Sequence, residues 1–86
     1  MTFDPKLVRT AEISGREVAK LLKVSHVTAI NWMNEKYQPK AAMEIRVGNF
    51  IKLLQRAVDS GDLPLKETPR ASRLSAVIRA LKKQTT

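Results

Sequence analysis

The chain contains no cysteine, which excludes a disulfide framework and a thiolate zinc site and leaves packing to hold the fold. Its single histidine, His26, has no second imidazole with which to share a metal, so no metal site is expected. No run of about eighteen apolar residues is present to span a bilayer. The opening residues MTFDPKLVR hold no apolar stretch of signal-peptide length, and the chain is expected to be soluble, unsecreted and cytoplasmic. P-loop and dinucleotide fingerprints are missing. Asp59 and Asp62 fall at a helix end where capping accounts for them, and no nucleophile has an evident base beside it. No enzymatic activity, catalytic residue, cofactor or small-molecule ligand is therefore expected.

Negative charge is also scarce. Eight Asp and Glu face sixteen Lys and Arg, a net charge of +8 on 86 residues. Such a surface is predisposed toward a polyanion, although excess lysine also serves solubility. The imbalance is steepest at the C-terminal end, where residues 66–86 hold six basic residues and one acidic. A chain of this length suffices for one compact domain.

Everything present reads as helix. Asp4 before Pro5 forms an N-cap and first helical residue, and Leu7, Val8 and Ala11 supply the apolar stripe of a helix over 5–11. Ser14 and Glu17 stand in the S-x-x-E relation of a capping box, which starts a second helix at Gly15 with Val18, Ala19, Leu21 and Leu22 on its inner side. Lys23-Val24-Ser25 breaks that pattern, and Ser25 is suited to cap a third helix over 26–34. In that helix Ala29, Trp32 and Met33 turn inward by their spacing, while Ser25, His26, Val27, Ile30, Asn31 and Asn34 turn outward.

Beyond Asn34 the run Glu35-Lys36-Tyr37-Gln38 is polar and Pro39 opens the next helix. Gly48-Asn49 interrupts an otherwise continuous stripe, and glycine costs about 1 kcal/mol inside a helix, so two helices are expected, over 40–47 and 49–60. Gly61, Pro64 and Pro69 bracket a linker, after which Leu74, Val77, Ile78 and Leu81 trace the stripe of a last basic helix over 69–83. The expected fold class is all-α: a compact domain of about four to five helices over 1–62 and a linker with a basic C-terminal helix over 63–86.

Two short amphipathic helices either side of a tight connection, with small Ala19 at their approach, meet the geometric needs of a bihelical DNA reader. The run Ala19, Leu22, Val24, Ser25, Thr28, with Trp32 four residues on, resembles the helix-turn-helix superfamily over about twenty residues. Lys23 departs from its pattern, since glycine with a positive φ is usual at that turn and a lysine there costs about 1 kcal/mol. Ala29 departs too, standing where a larger aliphatic residue is usual. The flank NWMNEKYQPKAAMEIRV resembles the phage and plasmid repressor (Cro and CI-like) branch, which implies a homodimer on a palindromic operator near a promoter.

That resemblance places candidate roles. Ser25, His26, Val27, Ile30, Asn31 and Asn34 are the candidate base contacts: Asn31 suits adenine N6 and N7, and the exposed apolar pair Val27 and Ile30 suits thymine methyl groups. Arg16, Lys20, Lys23, Thr28 and Lys36 are the candidate phosphate contacts; Thr28 has an equal claim to capping with Ser25, and a solvated basic face is the plainer account of any one of the cations. Trp32 is expected in the core. The last helix packs on its own domain, pairs with a second copy or lies loose on DNA; dimerisation through Leu74, Val77, Ile78 and Leu81 is preferred, because two half-sites about 34 Å apart double the contacts. Two rivals remain open: an excisionase or MerR-like architectural factor, which calls for a β-hairpin wing over 41–50, and an antitoxin-like protein-binding module.

Overall fold

The computed structural model describes residues 3–84 as five α-helices with no strand among them. Helix α1 is Pro5–Thr10, α2 Gly15–Leu22, α3 His26–Met33, α4 Glu44–Ser60 and α5 Arg73–Lys83, with 3-10 turns at Ala41–Met43 and Arg70–Ser72 leading into α4 and α5. Among the described residues no helix is long and apolar enough to cross a membrane.

The N-termini form where side-chain oxygens meet orphan backbone donors. The Asp4 carboxylate accepts from the Leu7 N–H at 3.2 Å. Ser14 and Glu17 complete a reciprocal capping box, the Glu17 N–H donating to Ser14 Oγ at 3.2 Å and the Ser14 N–H to Glu17 Oε1 at 2.9 Å. Ser25 Oγ accepts from the Thr28 N–H at 3.1 Å and opens α3.

The C-termini share a second device. Past α1, α2 and α3 the chain turns through a left-handed residue that is not glycine: Glu12 at φ 56°, Lys23 at φ 56° and Glu35 at φ 59°. Each time the next N–H reaches back to close the turn, Ile13 to Val8 O at 3.1 Å, Val24 to Ala19 O at 3.0 Å and Lys36 to Asn31 O at 2.9 Å. Only α4 ends on glycine, Gly61 at φ 86°, with Asp62 N–H on Ala57 O at 2.9 Å.

Arginines from distant helices then take up carbonyls left at these ends. Arg73 donates to Glu12 O beyond α1, Arg46 to Leu22 O at the end of α2, Arg9 to Met33 O at the end of α3 (3.0 Å) and Arg56 to Gln84 O beyond α5 (3.2 Å). A cation at a helix C-terminus satisfies an acceptor and meets the negative end of the macrodipole.

Helix α4 is the spine, lying against α1, α2 and α5 while α3 packs on α2. It runs unbroken through Gly48, which corrects the expected division into 40–47 and 49–60. Val47, Phe50, Leu54 and Ala57 are all buried at helical spacing, and burying each large apolar side chain, worth about 1.5–3 kcal/mol, exceeds the glycine penalty. Pro39 is buried but precedes the helix rather than opening it. Residues 41–50 are helical, as their spacing implies, and hold no strand of the hairpin wing that the architectural rival calls for.

The division at residue 62 is corrected as well. Leu63, Val77, Ala80 and Leu81 belong to the same core as Phe3, Val8, Val18 and Leu54. Val77 and Leu81 are therefore committed within the chain and do not form a dimer surface; Leu74 is half-buried and Ile78 alone of the expected four is exposed. The stripe faces its own domain because α4 offers it the apolar surface that a second copy was expected to supply. Trp32 is in the core as expected, tilted 48° against Phe3 with ring centroids 5.7 Å apart.

Candidate nucleic-acid interface

Helices α2 and α3 are joined by Lys23-Val24-Ser25. Val24 is partly buried against the core, and the left-handed Lys23 turns the chain so that α3 crosses α2 with Ala29 and Trp32 inward. The opposite face of α3 is thereby left at the surface. Val27, at 69% exposure, stands on it in the first turn, with Asn34 also exposed two turns further along the same line.

The flanks of that face differ. On one side Ile30, 36% exposed, leans on Gly15 at the start of α2. On the other, Asn31 and Thr28 are half-buried in a groove of about 520 Å³ whose far wall is Tyr37, Gln38, Lys40 and Met43, with Val24 and Trp32 at its base. The outward set therefore reaches solvent without projecting as one ridge. Val27 and Asn34 stand out, whereas Ile30 and Asn31 form shoulders. His26 is exposed in the first turn.

Ser25 and Thr28 are engaged with each other. The Ser25 hydroxyl donates to Thr28 Oγ1 at 2.8 Å while accepting from the Thr28 N–H, so both side chains are occupied in starting α3.

Two sets of cations bear on this surface. Arg9, Arg46, Arg56 and Arg73 are bound to helix ends, and Arg73 also pairs with Glu17 at 3.4 Å. Arg16, Lys20, Lys23, Lys36 and Lys40 are exposed, Arg16 and Lys20 on α2, Lys23 and Lys36 just before and just after α3 in the chain, and Lys40 on the wall of the groove that holds Asn31. Arg16 and Lys20 border a second groove of about 640 Å³ between α2 and the approach to α5, joined there by Arg70. Lys40, Tyr37 and Gln38 were not among the residues expected at this surface; their only signal in the sequence is a lone aromatic in the polar run after Asn34.

Comparison with known protein families, with curated proteins and with solved structures returns no match.

Proposed function

We propose that this chain is a sequence-specific double-stranded DNA-binding protein of the helix-turn-helix kind, in which α3 enters the major groove and the cations around it grip phosphates. In the fuller form of the proposal it is a transcriptional regulator of phage or plasmid repressor type, cytoplasmic, acting as a homodimer on a palindromic operator and excluding polymerase. The observation that carries the reading is the surface face of α3 with exposed cations on the segments to either side of it. Arg16, Lys20, Lys23, Lys36 and Lys40 are exposed on α2 and on the segments before and after α3, and α3 itself displays Val27 and Asn34. A solubilising surface needs no such arrangement, whereas a rod inserted between two phosphate ridges does.

Because Val77 and Leu81 are buried, the proposed twofold pair is not held together through them. Selection of bound sites from random duplex DNA, followed by titration across a salt series, tests the proposal. A defined motif repeated as a palindrome, with affinity falling steeply with salt, is the expected result; direct repeats coated cooperatively favour the architectural rival, and salt-insensitive or absent binding overturns DNA recognition altogether.

A further inference from the structure

Helix α3 has neither lysine nor arginine between His26 and Met33. Arginine and lysine are the side chains that hold guanine O6 and N7 together in a major groove, so α3 lacks the commonest guanine reader. The cations nearest in sequence, Lys23 and Lys36, lie just outside its two ends, and Arg9 is bound to the Met33 carbonyl at its last turn. In place of charge, the outer face carries a valine with its methyls in water and the Asn34 carboxamide, with the half-buried Asn31 carboxamide at its shoulder.

A valine 69% exposed in the first turn of a helix gains nothing from solvent. In the major groove its one matching feature is the C5-methyl of thymine, just as the asparagine amide matches adenine N6 and N7. Val27 and Asn31 are one turn apart, about 6 Å along the axis, which is within two base-pair steps of about 3.4 Å. They can therefore meet base pairs no more than two steps apart.

Resting on the DNA-binding proposal, we infer that α3 reads an A·T-rich half-site core, with Val27 against a thymine methyl and Asn31 on an adenine within two steps of it, and makes no bidentate guanine contact. Ile30, seated against Gly15, borders the methyl site and keeps water from its edge.

The test uses duplexes taken from a random-sequence selection, with each thymine of the core replaced in turn by deoxyuridine, which keeps the base pairing and removes only the methyl. At one position the affinity is expected to drop by about fourfold, the factor for one buried methyl, and the drop should vanish in Val27→Ala, whose exposed position leaves the melting temperature in place. Three results overturn the inference while leaving DNA recognition standing: specific binding indifferent to every deoxyuridine, a drop of equal size in Val27→Ala, or a selected core of G·C pairs. Failure to bind any duplex in a salt-dependent way removes the DNA-binding proposal and this inference together.

Discussion

A Cβ placed on Gly15 would lie 2.5 Å from Cδ1 of Ile30, so the first turn of α2 and the middle of α3 meet at a contact that has no room for a methyl group. Ala19 was the small residue expected at the approach of these helices, and it is buried, but it is Gly15 that the Ile30 side chain, the shoulder beside Val27, lies against.

Gly15→Ala brings two opposed effects. Helix propensity improves by up to about 1 kcal/mol, while Ile30 must leave its rotamer at a cost of about 0.5–1.5 kcal/mol. Alone the substitution should be close to neutral. In an Ile30→Val background, which lacks Cδ1, the same change should be stabilising by about 1 kcal/mol in urea denaturation. Additive effects in the double variant would show that the two side chains do not collide.

Lys23→Gly should stabilise the chain by about 1 kcal/mol, because only glycine occupies the left-handed region without a Cβ penalty. In a chain of this size that corresponds to about 4–8 °C in melting temperature. Lys23→Ala separates backbone strain from charge: it removes the cation but keeps the penalty, and should show no comparable gain.

Arg46 and Lys20 should part company although both are exposed cations. Arg46→Ala strips the α2 end of its partner at Leu22 O and should lower stability by about 2 kcal/mol, with Arg46→Lys recovering only part because one ammonium does not reproduce the guanidinium fork. Lys20→Ala should leave the melting temperature within about a degree while weakening binding to all DNA sequences alike and flattening the salt slope by about one. A Lys20 variant that alters sequence preference instead would reassign that residue to base contact.

Leu81→Ala should cost about 3 kcal/mol by leaving a cavity in the core, whereas Ile78→Ala, at an exposed position of the same helix, should change stability by less than about 1 kcal/mol. Calorimetry at several protein concentrations distinguishes this from dimerisation through the α5 stripe, which requires the loss in Leu81→Ala to shrink as concentration rises.

Asp62 gives the fold an acid limb. The Ser60 hydroxyl at 2.9 Å, the Gln84 amide at 2.7 Å and Lys83 at 3.4 Å hold its carboxyl below the usual aspartate value. A depressed folded-state value means that the associated stability is present above the unfolded value and is lost as the pH falls through the folded one, that is, below about pH 4. Asp62→Asn should lower the melting temperature at neutral pH and make it less sensitive to pH in that acid window; an unchanged acid slope would show that the carboxylate is not coupled to the end of α5.

What could be read from the chain was local. Asp4, Ser14, Glu17 and Ser25 each declare a helix start within three residues, and each cap is present. The break at Lys23-Val24-Ser25 was legible for the same reason, whereas the left-handed conformation of Lys23 followed only from the resemblance to the helix-turn-helix pattern. Contacts across distance were not. Phe3 on Trp32, Arg46 on Leu22 and Arg73 on Glu12 join residues that no short-range periodicity relates, and Gly48 was weighed by its propensity rather than by the burial of Val47 and Phe50 beside it. The α5 stripe was correctly seen as apolar on one side, but a stripe does not name what covers it. For the surface of α3, spacing gave the face, while the unequal shoulders at Ile30 and Asn31 follow from Gly15 and from the Tyr37 segment, which spacing does not register.

The corners at Glu12, Lys23 and Glu35 have a kinetic meaning. Together they raise the free energy of the native chain by about 3 kcal/mol, and each 1.4 kcal/mol is a factor of about ten in an equilibrium constant. Relative to a version with glycine at all three, the molecule visits opened forms roughly a hundredfold more often. Proteases that act on such forms would clear it correspondingly faster.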